Sequence, residues 1–348
     1  MDRTTRGQSG RGAPRTAGAT SADVARLARV SQSAVSRAFT EGASISPDTR
    51  GRILSAARQL GYRPNKLARS LISGRSGLIG LAVSYLDNQF YPVVLEELSR
   101  ALQTRGYRIM LFMTQPGDTD ANVRDMLQYQ VEGVVLASAV LSSDLAQQCA
   151  DNGIPVVLFN RIVPGSPAST VASDNIEGGR LVGDLLARAG HRRIAYIAGY
   201  EDSSTNRDRE AGFLRGLAHH GRVCDARAVG AYTSEGARAA ALALFDRPVR
   251  ERPDAVFVAN DHMAFAVLDT LRQELGLSVP EDVAVVGYDD VPEAAWKAYD
   301  LTTVEQPAPA MIEATVDILM EQIGEGPTVR RAVVCPARLV ERGTTRRA

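Results

Sequence analysis

Apolar positions along the chain change their period near residue 77. Before it they recur at helical spacing in short runs. Thr20 and Asp23 stand three apart, a cap followed by an acid, and Val24, Leu27 and Ala28 then form one helical face. Val30 closes that helix, Ser31 caps the next, and Ala34, Val35, Ala38 and Phe39 turn back toward the same core. Gln32, Ser33, Ser36 and Arg37 are left on the outer face. Ser46-Pro47 announces a third helix, a cap followed by proline at the first helical position. Its inward face is Ile53, Ala56, Ala57 and Leu60, and Gly61 stops it. Three short helices with small residues at their crossing predict a helix-turn-helix unit whose second helix enters a DNA major groove. A three-helix bundle made for protein contact is the plainer alternative.

From Leu78 the apolar runs are strand-like. LIGLAV (78–83), YRIMLFM (107–113), GVVLAS (133–138) and PVVLFN (155–160) predict strands separated by helices near 91–104, 119–129 and 143–151. After Asn175 the rhythm restarts with helix 177–189, strand 193–199, helix 208–219 and a strand near 226–230. Helix 234–245, strand 255–260, helix 262–275 and strand 283–290 complete it. This alternation predicts two α/β subdomains with parallel sheets facing across a cleft, and such sheets bind ligands at the carboxyl ends of their strands. Those ends carry Tyr85, Asp87, Asn88, Phe90 and Tyr91, then Asn160 and Arg161, then Arg207 and Arg209, Tyr232, Asn260 and Asp289. Asp, Asn and Arg suit pairs of hydroxyls, and aromatic rings cover the apolar face of a sugar. Arg207 beside Arg209 fits either an acidic ligand group or a plain helix-end charge cluster.

Charge separates the two parts. The formal net charge is zero, yet residues 1–76 hold 14 Arg/Lys against 4 Asp/Glu, and the remainder holds 26 against 36. A basic module on an acidic body implies that the first part approaches a polyanion. Residues 1–19, rich in Gly, Arg, Ser and Thr, read as a disordered basic arm. The stretch RPNKLARSLISGRSG (63–77) offers barely two helical turns, too short to stand alone in water. Lys66 and Arg69 lie beside Leu67 and Leu71, so it is expected to order against DNA and a second copy, a leucine wedging into the minor groove. A plain linker is the alternative.

Composition limits the chemistry. Residues are 45% hydrophobic and 23% charged, as in ordinary globular proteins. No run reaches the 18 apolar residues of a membrane span, and an apolar signal core is missing, so a cytoplasmic, nucleoid-associated protein is expected. Cys149, Cys224 and Cys335 lie far apart without metal-ligand spacing, and the four histidines read as surface or helix-end residues. No Gly-x-Gly-x-x-Gly, Walker or nucleophile-elbow motif follows a strand. Asp289-Asp290 are neighbours on a strand, so only one is expected to face the cleft. Neither catalysis nor a metal or organic cofactor is therefore expected.

Taken in order, DVARLARVSQSAVSRAF, SPDTRGRILSAARQLGYRPNKLARSL, IGLAV, DNIEGGRLVGDLLARAGHRRIAYIAG, RDREAGF, PDAVFVANDHMAFAVL, VPEDVAVVGYDD and LTTVEQP resemble the LacI/GalR family of transcriptional regulators over essentially residues 20–345. The resemblance implies a small all-α helix-turn-helix head with a hinge helix, followed by a two-subdomain α/β body, periplasmic binding protein-like, type I. The implied division is an arm at 1–19, a DNA-binding domain at 20–63, a hinge at 64–76 and an effector-binding, dimerising body at 77–345. Within the body it implies one subdomain of about 77–176 plus 305–335 and another of about 177–304 plus the C-terminal strand. Crossing strands are expected near 161–177 and 290–305.

Implied partners are double-stranded operator DNA, a small sugar-like effector and a second copy of the chain, with no membrane. Gln32 and Ser33 match base-reading positions, Arg37 an arginine on the far side of the recognition helix, and Leu71 the minor-groove lever. Thr20, Ser31, Ala34, Ser36, Asn65, Lys66, Ala68 and Arg69 complete the candidate DNA contacts. In the cleft Arg209 matches the arginine that holds hydroxyls or a carboxylate, and Asn260 and Asp289 match sugar-contacting positions. Tyr232 matches the stacking aromatic and Phe90 a ligand-facing position; Asp87, Tyr91, Asn160 and Arg161 complete the effector set. Trp296 is either a lid residue or crossover packing, with packing preferred. The ending RLVERGTTRRA lacks a leucine heptad, which favours a dimer over a tetramer. The expected function is a repressor of carbohydrate genes released by its effector; a ligand acting as co-repressor uses the same parts. A sugar-binding protein without DNA affinity, or a sugar-processing enzyme, is the alternative of another class.

Overall fold

The computed structural model describes residues 19–40, 42–63, 75–115, 118–326 and 330–346. They divide into two compact units at Gly74/Arg75. The first unit contains α1 (Ser21–Ala28), α2 (Gln32–Ala38) and α3 (Pro47–Gln59). Each helix starts on a hydroxyl cap. Thr20 accepts from the Asp23 amide while Asp23 answers the Thr20 amide, Ser31 accepts from Ala34, and Ser46 accepts from Thr49 ahead of Pro47. Such caps satisfy amides that the first helical turn leaves without partners. The turn between α1 and α2 passes through Arg29 in the left-handed region, φ 52°.

Val24, Ala25, Ala28, Val35, Ala38, Ile53, Ala56 and Ala57 make the small core of this unit. Leu27 and Leu60, both expected inside, are 44% and 37% exposed. The buried stripe of α1 runs through 24, 25 and 28, which sets position 27 about 100° off its centre. Arg50 ties the ends together by donating to the Ala38 and Ala43 carbonyls at 3.1 and 3.3 Å.

The second unit begins with β1 (Leu78–Val83), α4 (Phe90–Thr104), β2 (Arg108–Met113), α5 (Thr119–Gln128), β3 (Gly133–Ala137), α6 (Ser143–Asp151), β4 (Val156–Phe159) and β5 (Ser169–Ser173). It continues through α7 (Asn175–Arg188), β6 (Ile194–Ala198), α8 (Ser204–His219), β7 (Ala226–Val229), α9 (Ser234–Phe245), β8 (Ala255–Val258), α10 (Asp261–Asp269) and β9 (Ala284–Val286). It ends with β10 (Thr303–Glu305), α11 (Ala308–Glu325), β11 (Ala332–Cys335) and β12 (Arg338–Val340). The first lobe is a parallel sheet ordered β11-β5-β4-β3-β1-β2, and the second a parallel sheet ordered β7-β6-β8-β9. The inner strands β1, β3, β4, β6 and β8 are near-continuous apolar runs because helices cover both faces, whereas the edge strands β2, β7 and β11 alternate with exposed positions.

The sequence reading omitted β5, whose polar STVAS composition hides a fully buried strand. It also ran strand 283–290 too far. Regular pairing stops at Val286, and the chain then bridges from Asp289 to Glu305 on its way back to the first lobe. The chain passes between lobes a third time after β11, where β12 pairs antiparallel with β10 and Thr344 bonds Val285. Among the described residues no helix is long and apolar enough to cross a membrane.

Candidate functional site

The carboxyl ends of strands from both sheets converge on one polar recess lined by Tyr85, Asn88, Tyr91, Asn160, Arg161, Thr205, Arg209, Tyr232, Asn260 and Asp289. Each position follows from the backbone. Tyr85 and Asn88 leave β1, Asn160 and Arg161 leave β4, Tyr232 and Asn260 follow β7 and β8, and Asp289 follows β9. Ser138, Asn160, Tyr232 and Asp289 all sit at positive φ, between 58° and 128°. Non-glycine residues rarely hold such angles, and they gather where surrounding structure forces side chains to a purpose.

Arg209 is buried in the floor. Its Nε donates to Asn175 Oδ1 at 2.8 Å, Nη1 to the Ala259 carbonyl at 2.6 Å, and Nη2 lies 3.4 Å from Asp289 Oδ1. The guanidinium stacks 3.6 Å over the Tyr288 ring. Burial works against its charge, but Asp289 together with the surrounding hydroxyls of Tyr288, Tyr232 and Tyr196 outweighs burial and raises the Arg209 pKa. Burial pushes the Tyr288 hydroxyl up to about 12, against the pull of Arg209. It likewise raises the Asp289 carboxyl, opposed by Arg209 and by hydrogen bonds from Gln306 and Asn88.

Arg161 spans the mouth of the hinge. It donates to Ser138 Oγ at 2.7 Å in the first lobe and to Thr205 Oγ1 at 2.8 Å in the second. Tyr232 completes this side, its hydroxyl 3.1 Å from Thr205 Oγ1. Two buried polar atoms in the recess, Asn160 Oδ1 and Asn260 Nδ2, have no hydrogen-bond partner among the described residues. Asn260 uses its Oδ1 to cap α10 through the Met263 amide, which fixes Nδ2 as the free donor. Buried polar atoms nearly always find partners, so these two are exceptions to a general rule.

The structure thus brings together Tyr91, Asn160, Arg161, Arg209, Tyr232, Asn260 and Asp289. It does not bring in Phe90, whose ring packs 6.4 Å from Phe159 in the core of the first lobe, nor fully Asp87, which stands exposed at the rim 4.0 Å from His262. Arg207 points to solvent beside Asp208, and Trp296 is 56% exposed rather than packed. Asp289 turns inward while Asp290 pairs with Arg342 at 2.7 Å, so only one of the two faces the cleft.

Ser138, Ser203 and Thr205 were missed. Helix α8 starts four residues earlier than expected, on Ser203 as its cap, and this extra turn carries Thr205. A serine ahead of a helical run was the available signal. A larger recess of about 390 Å³ lies elsewhere, under α6, but its polar members Gln322 and Ser169 bond each other at 3.2 Å.

On the first unit, Gln32, Ser33, Ser36 and Arg37 are exposed along α2 and Ala34 is half-buried against the core. Thr20 and Ser31 spend their hydroxyls on helix caps. The candidates Asn65, Lys66, Ala68, Arg69 and Leu71 lie outside the described residues.

Residues 20–65 match the model of bacterial regulatory proteins of the lacI family, and residues 183–345 match the periplasmic binding protein-like domain. The HTH-type transcriptional regulator CelR of Thermobifida fusca is 36% identical over 86% of this chain and 90% of its own length. The chain belongs to the lacI family of bacterial regulatory proteins. Among solved structures, the lac repressor dimer bound to operator and an anti-inducer superposes with a TM-score of 0.84 at 26% identity, covering 94% of this chain and 99% of that one. A CelR–cellobiose complex superposes at 0.70 with 34% identity over 94% and 99%. The regulator is accordingly a DNA-binding protein with a small-molecule effector and a periplasmic-binding-type body, of a family that regulates transcription rather than catalyses.

Proposed function

We propose that the regulator is a dimeric repressor of carbohydrate genes, released from a near-palindromic operator by a sugar. The observation that carries the sugar is the pair of unsatisfied buried groups, one acceptor on Asn160 and one donor on Asn260, set among tyrosine rings. A hydroxyl both donates and accepts, so a polyol answers such a pair where an apolar ligand does not. The relative whose structure is a complex with cellobiose makes that disaccharide the first candidate. The recess is too small as it stands to hold a disaccharide, whose pocket needs on the order of 300 Å³ or more. A disaccharide therefore requires the lobes to part before they close on it.

Support for a dimer comes from the edge strand β2, which exposes Leu111 and Met113 at 41% and 51%. An apolar sheet edge left open to water is normally covered. Gln32 and Ser33 read base edges, Arg37 holds phosphate, and the basic stretch with Lys66, Arg69 and Leu71 engages the minor groove between half-sites. A ligand shifts this binding only by its differential affinity for the two states of the body.

Sheared genomic DNA passed over the purified regulator, with and without cellobiose and a panel of monosaccharides, tests the proposal. A palindrome retained alone and released by a sugar supports it. Retention only with ligand converts the effector into a co-repressor. Loss of ligand response in Arg209→Ala with DNA binding kept assigns the cleft, and unchanged operator affinity in Leu71→Ala removes that leucine from the hinge role.

A further inference from the structure

We propose that Asp184, His219 and His220 form a binding site for a divalent transition-metal ion on the second lobe. The site joins α7 to the far end of α8, about 22 Å along that helix from its cleft-lining first turn. His219 is the last residue of α8 and His220 its cap, so adjacent imidazoles both reach the neighbouring helix.

The distances are those of ligands around one ion. Asp184 Oδ1 lies 3.3 Å from His220 Nε2 and 3.8 Å from His219 Nδ1, and the three donor atoms all fall within 4.8 Å of one another. Nitrogen and oxygen ligands held about 2.1 Å from a tetrahedral ion stand about 3.4 Å apart. The first separation already matches, and a small rotation of the exposed His219 ring closes the second. Asp184 Oδ1 is itself buried and makes no hydrogen bond among the described residues, although two imidazoles face it.

The carboxylate is held from behind. Its other oxygen is paired with Arg180 Nη1, and Arg180 is gripped in turn by both oxygens of Glu177 at 2.6 and 2.7 Å. Arg180 alone would oppose a cation, but Glu177 and Asp184 together leave this trio with one negative charge. An outer partner of this kind orients a metal-binding carboxylate.

The two helices that supply the ligands are fixed backbone to backbone. A Cβ on Gly183 would come 2.4 Å from the Phe213 carbonyl, and one on Gly216 would come 2.3 Å from that of Arg180. Asp184 follows Gly183 directly, so the ligand distance is set by this backbone-to-backbone crossing. Two imidazoles and one carboxylate suit Zn²⁺, Ni²⁺ or Co²⁺ with water in the remaining positions, and do not suit the oxygen-seeking Ca²⁺ or Mg²⁺. His219, 75% exposed, leaves the site open to solvent.

The test is calorimetric titration of the tag-free, chelator-stripped regulator with Ni²⁺ and with Zn²⁺, repeated on His219→Ala, His220→Ala and the double variant. The expected result is one ion per chain, with each single variant weakening binding about tenfold or more and the double variant abolishing it. Bound Co²⁺ is expected to show no thiolate charge-transfer band, since Cys149, Cys224 and Cys335 take no part. An unchanged far-UV spectrum and thermal midpoint of the metal-free variants keep folding out of the comparison. Uptake in the double variant equal to that of the parent chain overturns the site. So does absence of uptake by the parent chain, which reduces the cluster to a histidine–carboxylate contact.

Discussion

Asn88 and Asp289 join the two lobes at the floor of the cleft, Asn88 Nδ2 donating to Asp289 Oδ2 at 3.4 Å. The other oxygen of Asp289 accepts from Gln306 at 2.6 Å and faces Arg209. One buried carboxylate thus links the first lobe, the crossover and the arginine of the recess. A ligand group that reaches Arg209 must share it with Asp289, and any shift of Asp289 is felt by Asn88. In the proposed effector role, ligand occupancy and lobe closure are expected to be coupled at this point by charge and hydrogen bonding.

Removing one partner of that pair is expected to cost more than removing both. Arg209→Met leaves Asp289 buried without its cation, a loss on the order of 3–5 kcal/mol. Asp289→Leu strands Arg209 in the same way. The double variant is expected to regain much of the loss, since the uncompensated charge is gone. Urea midpoints of the four proteins check this, and additive losses would show that the two charges do not sense each other. All three variants are expected to lose effector response.

The pH dependence of stability carries a second signature. Burial, with the nearby charge of Asp289, pushes the Asp261 carboxyl up to about 8 from its ordinary 3.8. Asp261 lies beneath the recess, accepting from Thr303 Oγ1 at 2.6 Å and from the Val291 amide at 3.1 Å. Between those two pH values the folded protein holds a proton that the unfolded chain has released. Stability from this group therefore falls as pH rises from about 4 toward 8, by up to about 1.4 kcal/mol per unit. Asp261→Asn, whose amide can accept from Val291 and donate to Thr303, is expected to remove that slope. Urea midpoints across this range compare the two; parallel curves would place the proton elsewhere.

In the helical unit, capping and exposed residues are expected to separate. Ser31→Ala is expected to cost the unit about 1 kcal/mol, because the Ala34 amide loses its acceptor. Gln32→Ala leaves the cap intact and is expected to weaken operator binding by about 1–3 kcal/mol at one base pair. Arg37→Ala is expected to weaken all sequences alike and to lower the salt slope by about one unit. Hydrogen exchange in the full chain reads the first effect, and operator titrations at several salt concentrations read the others.

Much of this was legible because strand ends are legible. An apolar run followed by Asn, Arg or Asp fixes which residue meets the cleft, as Phe159-Asn160-Arg161 shows. What escaped was set by packing or by capping. Phe90 and Tyr91 are neighbours at the start of α4, and only the helix rotation decides that Tyr91 lines the recess while Phe90 stacks on Phe159. Thr205 escaped because charged residues 207–210 drew the predicted helix start past Ser203. His219 and His220 stand at a helix end as expected, but their nearness to Asp184 escaped because that carboxylate sits on another helix, which no sequence spacing encodes.

The crossing of α7 and α8 gives the last prediction. Gly179, Gly183, Gly212 and Gly216 repeat at helical spacing on both helices, and each would place a Cβ within 2.4 Å of facing backbone. None of the four is at positive φ, so close approach rather than backbone freedom demands glycine here. A side chain confined only by other side chains could turn away, but carbonyl oxygens within a helix cannot. Gly216→Ala is therefore expected to separate the helices and destabilise the second lobe by about 2 kcal/mol or more. Gly221→Ala makes the contrast, since no neighbour approaches that site and its φ of 65° is the sole obstacle; its cost is expected to stay near 1 kcal/mol. Thermal unfolding of both variants decides it, and equal losses would mean that the crossing yields more easily than its backbone contacts allow.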